Sequence, residues 1–309
     1  MANVSGQATT YNLENFVGEL FFLTAADAPF KSLASQNGIR RVASKLFTWQ
    51  TTDNPNPSQP SNLEGADPTY EERDRSEVSN VVQIFQYGVE VSYTKLAAIG
   101  QLASTASPVL GTQPVSNEQE LQEALKLDRA AEDMEVSFLT GTFQNPSDNL
   151  TGRQTRGVST AISTNTVAAG TTDLSRDQID TLLRTMHSNR AKFRRPTVFG
   201  TALQIQRLND IYAFAPNSRT VGGVNIQSVI TPFGTLDVVM DRHVTASELL
   251  ILDMAFIKPV VMPIPGKGEL FLEPKPASGA SNRSMLYGEW GIQYGPERYH
   301  GKITGLTTS

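Results

Sequence analysis

The 309-residue chain has no cysteine, which excludes disulfides, thiol nucleophiles and thiolate metal sites together. Histidine occurs only at His187, His243 and His300. Asp241 and His243 offer an Asp-x-His pair that a distant serine would complete into a triad. Yet the chain has no Gly-x-Ser-x-Gly elbow, no His-Glu-x-x-His, no phosphate-binding glycine loop and no EF-hand spacing. No catalytic residue, cofactor or metal site is expected, and the three histidines read as structural or surface residues. No apolar run reaches the roughly 18 residues that span a membrane as a helix. The first twenty residues lack the basic and apolar regions of a secretion signal, so the protein is expected to stay where it is made, with no membrane partner.

With 39% hydrophobic residues the chain supports a large core, best divided between two subdomains. The most informative stretch is Leu46 to Tyr93. Phe47 and Trp49 share one face of an outgoing strand, and a returning strand alternates through Phe85, Tyr87, Val89, Val91 and Tyr93. Between them lie Pro55, Pro57, Pro60, Pro68 and the charged run Glu71 to Arg75, which has few apolar residues and prolines without backbone donors. A hairpin of that length reaches on the order of 70 Å when extended, beyond the radius of a compact domain. Either it packs on something else or it is a disordered surface loop.

Charge is unevenly spread. Residues 48–93 carry eight acids, among them Asp53, Asp67, Glu71, Glu72 and Asp74, against Arg73 and Arg75. Residues 176–219 reverse the balance, with Arg184, Arg190, Lys192, Arg194, Arg195 and Arg219 among eight cations and three aspartates opposing them. Complementary patches on one chain suit self-association. Nucleic-acid binding by the basic patch is the weaker reading, because only Phe193 lies nearby to stack on bases. An ordinary solvated face is the plain alternative.

Past a turn-rich linker at Pro108–Pro114, Asn117 and Glu120 form a capping-box-like start to a helix over 117–141. Leu121, Leu125, Ala131, Met134 and Phe138 give it an apolar stripe, with Glu118, Glu123, Asp128, Glu132 and Asp133 on the other face. Residues 144–172 are rich in Ser, Thr, Asn and Gly and read as a linker. From Leu174 to Pro263 helices and strands interleave: a helix through Ile179–Met186, a strand at Thr197–Phe199, a helix over Ala202–Ile211, then strands at Val224–Ile230, Leu236–Met240 and Leu249–Leu252. The end returns to strands at Glu269–Glu273, Met285–Tyr294 and Lys302–Thr304. The fold class is therefore α+β, with a first subdomain built from both sides of an inserted second one.

This order of arm, long hairpin, spine helix, α+β unit and returning strands resembles the major capsid proteins of tailed bacteriophages, with the Hong Kong 97-like fold. The likeness covers nearly the whole chain and is sharpened by Asn15-Phe-Val-Gly-Glu-Leu20, Gln50-Thr-Thr-Asp-Asn54, Thr155-Arg-Gly-Val158, Tyr287-Gly-Glu-Trp290 and His300-Gly-Lys-Ile-Thr-Gly-Leu306. The resemblance implies an N-terminal arm over 1–44, an extended loop over 45–93, a peripheral domain over 94–173 and 264–309 with its spine at 117–141, and an axial domain over 174–263. It implies a structural subunit rather than an enzyme. That subunit assembles with itself into pentamers and hexamers of an icosahedral virion capsid around double-stranded DNA in the bacterial host cytoplasm. Portal, scaffolding and cement proteins are the other implied partners, and DNA is contacted without sequence preference. Subunit contacts would come from the loop (Trp49, Asp53, Asp67, Glu71, Glu72, Arg73, Asp74, Arg75) and the axial domain (Arg184, Arg190, Lys192, Arg194, Arg195, Arg219). Some members join subunits through a loop lysine. No lysine occurs between Lys45 and Lys95, so that crosslink is not expected here. Only about forty residues precede the hairpin, too few for the cleaved scaffolding domain of some members, so a separate scaffolding protein or none is expected. A nanocompartment shell of the same fold and a monomeric surface-binding protein are the alternatives.

Overall fold

A computed structural model describes residues 27–54, 56–96, 118–148, 150–212, 219–221, 224–277 and 279–309, with the side chains of 219–226 excluded. Most of the expected N-terminal arm, the 108–114 linker and the Asn117 cap fall outside those residues. The chain divides into two compact units, one of Met1–Ala26, Tyr87–Arg129 and Leu272–Leu286, the other of Asp27–Gln86, Ala130–Phe271 and Tyr287–Ser309.

The larger unit holds a seven-stranded mixed sheet in the order β5-β14-β10-β6-β9-β8-β7. Its strands are β5 (Thr166–Thr172), β6 (Pro196–Gly200), β7 (Arg219–Val221), β8 (Val224–Thr231), β9 (Gly234–Met240), β10 (Leu249–Asp253) and β14 (Gly301–Leu306). Central β10, Leu-Leu-Ile-Leu-Asp, is buried at every position, as a strand covered on both faces must be. Helix α4 (Arg176–Ser188) starts at a capping box in which Ser175 and Gln178 bond each other's backbone N–H groups. Its buried face, Ile179, Leu182, Leu183 and Met186, packs in one core with Leu208 of α5 (Ala202–Tyr212) and with Val198, Val238, Leu249, Ile251 and Ile303. The helices and strands expected between residues 174 and 263 are all present within three residues of their expected ends. The sheet nevertheless reaches outside 174–263. β5, from the expected linker, and β14, from the expected peripheral strands, pair in parallel with each other, and β14 pairs antiparallel with β10. Alternation marks a short strand but carries no information about which sheet it joins.

The same unit contains α1 (Pro29–Ser35), whose Phe30 meets Phe199 edge to face at 5.5 Å. It also contains α3 (Val158–Ala161), β1 (Arg40–Arg41) and β11 (Lys258–Val261), the last pairing antiparallel with the Trp290–Gln293 end of β13 (Ser281–Gln293). The second sheet runs β1-β11-β13-β12, with β12 at Leu270–Lys275, and β4 (Gln83–Ser92) is also paired to β13. A separate two-stranded ribbon joins β2 (Leu46–Thr51) to β3 (Ser76–Val81), in register from Leu46 opposite Val81 to Thr51 opposite Ser76. The expected returning arm is thus a strand, β4, but its partner is β13. The true return, Ser-Glu-Val-Ser-Asn-Val, is too polar to stand out from its loop.

In the smaller unit, Glu90 near the end of β4 accepts hydrogen bonds from Ser281 Oγ at 2.7 Å and from Arg283 at 2.8 Å. Glu123 accepts from Ser284 Oγ at 2.7 Å, and Glu118 pairs with Lys95. Helix α2 (Glu118–Thr140) runs through both units and, with 23 residues, is about 35 Å long. The expected stripe is correct for Met134 and Phe138, which are buried, but Leu125 is exposed. Two of the acids expected on the outer face, Glu118 and Glu123, are instead engaged in these inward pairs.

Candidate assembly interface

The ribbon β2–β3 has two parts of opposite character. At its base Phe47, Trp49 and Val81 are buried. Trp49 stacks on Phe47 at 6.1 Å, meets Tyr294 edge to face at 5.0 Å, and donates its indole N–H to the Gly295 carbonyl at 3.1 Å. Asn80, fully buried, donates to the Arg156 and Ile292 carbonyls at 3.1 and 2.9 Å and accepts the Arg156 N–H at 2.8 Å. It thereby joins the ribbon to the Thr155–Val158 stretch and to β13. The fit leaves no room at Gly291, where a Cβ would come within 2.9 Å of the Val81 carbonyl and 3.1 Å of the Phe47 ring. Trp49, expected at a subunit contact, is thus committed to the interior of its own chain. A large aromatic beside an exposed loop gives no sign in the sequence of which side it packs on.

Beyond the base, every described residue from Thr52 to Glu77 is exposed. One turn bends the tip: the Ala66 N–H bonds to the Leu63 carbonyl at 3.2 Å, and Gly65 sits at φ +81, the left-handed third position of a type II turn. From residue 52 to that turn the chain extends at most about 45 Å, at about 3.3 Å per residue. Leu63 and Tyr70, the only large apolar side chains between 52 and 75, are 84% and 86% exposed. Their isolation in a polar run was the signal for them, and charge counting passed over it.

The acidic residues behave less uniformly than their count suggested. Asp67, Glu72 and Asp74 are exposed. Glu71 pairs with Arg73 two residues on, and Arg75 donates to Gln50 at 3.3 Å. Asp53 is bound by Arg298 of the same chain at 2.6 Å. Exposed pairs of this kind contribute about 0–1 kcal/mol, so they orient the loop more than they hold it.

The expected cationic partners are largely used at home. Arg190, in the turn after α4 with φ +62, reaches the loop of its own chain, donating to the Asn54 carbonyl at 2.9 Å and to Asn56 Oδ1 at 2.7 Å. Arg195 donates to the Leu33 carbonyl at 3.2 Å, and the backbone N–H groups of Arg194 and Arg195 both bond to the buried Asp253 carboxylate. The Arg194 guanidinium lies over Phe256 and the Lys192 ammonium over Tyr299, at 5.4 and 5.8 Å. Arg184 is exposed on α4. Arg219 opens β7, and its side chain lies outside the described residues. Arg190, Lys192, Arg298, Asp53 and Glu297 line a cleft of about 610 Å³ at the root of the loop. Cations and carboxylates alternate there, so it is no uniformly basic surface for nucleic acid.

Among the described residues, Asp241 and His243 do not form an Asp–His pair through the imidazole. The Asp241 carboxylate accepts the backbone N–H of His243 at 2.8 Å, while the His243 imidazole contacts the Asp27 carbonyl at 3.1 Å. His300 is fully buried between the Tyr294 carbonyl at 2.6 Å and the Asp253 N–H at 3.2 Å, and His187 lies against Phe233 at 6.3 Å. Among the described residues no group of three or more His, Cys, Asp or Glu is placed to hold a metal ion.

The family model described as SU10 major capsid protein matches residues 3–307. No curated protein matches the chain. Among solved structures, the capsid of cyanophage A-1(L) is similar over all of both chains at 11% identity and a TM-score of 0.68. The capsid of cyanophage P-SCSP1u is similar over 100% of this chain and 97% of its own, at 12% identity and a TM-score of 0.61. The SrpI encapsulin of Synechococcus elongatus PCC 7942 is similar over 98% and 95%, at 10% identity and a TM-score of 0.59. At such identities the likeness is one of fold.

Proposed function

Because the chain belongs to the SU10 major capsid protein family, and is therefore a structural shell subunit of a phage head built from many copies of itself, we propose that residues 52–75 are its main arm for gripping a neighbouring subunit. The fold is the Hong Kong 97-like one shared with the cyanophage capsids. The observation that carries the proposal is the exposure of every described residue of the loop, Leu63 and Tyr70 among them. Exposed apolar side chains on a segment that buries nothing in its own chain find their counterpart in another copy. The acids Asp67, Glu71, Glu72 and Asp74 select the orientation in which copies meet.

In this reading the seven-stranded sheet with α4 and α5 is the axial domain, and α2 is the spine of the peripheral domain. Pentamers and hexamers close an icosahedral head around double-stranded DNA in the host cytoplasm, with portal, scaffolding and cement proteins as further partners. Without a loop lysine, cohesion between subunits comes from buried area.

Negative-stain electron microscopy of the protein, expressed alone and with its scaffolding partners, tests this reading. Closed shells, tubes or rings of five and six are expected of the native chain. Replacing both Leu63 and Tyr70 by serine is expected to leave a folded subunit that no longer assembles. Normal shells from that double variant would overturn the role given to the loop.

A further inference from the structure

Two carboxyl groups unrelated to the loop meet in the interior of the larger unit. Glu135 of α2 and Asp241, which follows β9, are both fully buried. Glu135 Oε1 accepts the Phe30 N–H at 2.6 Å and Oε2 accepts the Lys31 N–H at 2.7 Å. These are orphan donors of the first turn of α1, and the N-cap residue Ala28 has no side-chain oxygen to take them. The cap of α1 is thus supplied by another helix.

Asp241 is held by its backbone N–H to the Gly200 carbonyl at 2.9 Å and by Oδ1 to the His243 N–H at 2.8 Å. Its other oxygen, Oδ2, is buried and, among the described residues, receives no side-chain or backbone N–H. The Asp241 carboxyl interacts with the Glu135 carboxyl. Two carboxylates so placed repel each other in a medium that does not screen them, whereas one proton between them removes the repulsion and satisfies the orphan oxygen. The surrounding charges are Lys31 from α1, Asp27 before it, and Arg242 and His243 after β9. Arg242 is turned to Asp27 at 3.5 Å, and the His243 ring contacts the Asp27 carbonyl.

We propose that Glu135 and Asp241 share a single proton and that this proton is a latch fastening α1 to α2 and to the end of β9, so that its loss releases α1 while the core sheet stays closed. Burial raises the affinity of both carboxyls for the proton, and the Asp241 charge raises that of Glu135 further. A folded-state pKa above the unfolded one gives stability that is complete below the unfolded value and is lost as pH climbs through the folded one. The latch therefore opens toward alkaline pH.

Hydrogen–deuterium exchange on the full-length protein from about pH 6 to about pH 10, corrected for intrinsic rates, reads the latch directly. The expected result is that opening of amides 30–36 increases up to about tenfold per pH unit while the closed state holds the shared proton and the opened state has lost it, and levels off once the closed pair itself ionises, as one linked proton dictates, while the β10 amides 249–253 stay protected. Asp241→Asn supplies an N–H to Glu135 and still accepts from His243, so its α1 exchange is expected to be flat over the same range. Native α1 exchange that does not rise relative to β10, or a rise of equal slope in D241N, overturns the proposal. Infrared spectroscopy of the native protein is independent of any variant. A protonated-carboxyl band at neutral pH is expected, and its absence overturns the shared proton.

Discussion

The base and the tip of one ribbon follow opposite rules within thirty-six residues. In the base, β2 and β3 place Phe47, Trp49, Asn80 and Val81 in the interior, and Asn80 alone satisfies backbone groups on two other segments. In the loop, every described residue of 52–75 is exposed. The base is an element of folding, and in the function proposed above the loop is an element of association. Substitutions in the first are expected to change stability, and those in the second to change assembly at constant stability.

The largest effect that sharpens this contrast is Trp49→Ala, expected to cost about 3–5 kcal/mol, as large-to-small changes at buried aromatics do. Denaturant unfolding of the unassembled subunit measures it. Next comes Asn80→Ala, which removes three hydrogen bonds to other segments at about 0.5–1.5 kcal/mol each, for a total near 2–4 kcal/mol by the same assay. In the loop, reversing Glu71, Glu72 and Asp74 to lysine is expected to change the unfolding free energy by under about 0.5 kcal/mol per substitution while impairing assembly seen by electron microscopy. An intact shell from that variant would mean that the acids carry no orientation information. The finest probe is pH. The His300 ring is neutral, donating to the Tyr294 carbonyl and accepting from the Asp253 N–H. Burial lowers its pKa. Its stabilisation is therefore present above the unfolded histidine pKa of about 6.5 and is lost as pH falls from there through the folded value. Since Tyr294 also receives Trp49, acid is expected to loosen the base, and Trp49 fluorescence should report it, whereas His300→Gln should blunt the response.

Much of this was legible in the chain. The apolar spacing of Ile179, Leu182, Leu183 and Met186 and the apolar runs that follow located α4, β6, α5, β8, β9 and β10, because short-range period is a local property. The polar, proline-rich run of 52–75 announced a segment with no core of its own. Pairing was not legible. β4 and β14 are recognisable strands whose partners, β13 and β10, lie far away in sequence. Nor was the fate of charges legible: Arg190, Arg195 and Asp53 count as a charge pattern in sequence, yet each is spent on a contact inside its own chain.

Composition and period by themselves determined that the chain is α+β, that it lacks thiol chemistry, and that one long segment has nothing apolar enough to fold upon. Those properties depend on neighbours within a few residues. Only the tertiary structure decided that Trp49 faces inward, that Leu63 and Tyr70 are left in solvent, and that Glu135 serves as the cap of a helix more than a hundred residues away. Burial and hydrogen-bond partnership are set by which distant segments share space, and no local pattern encodes that.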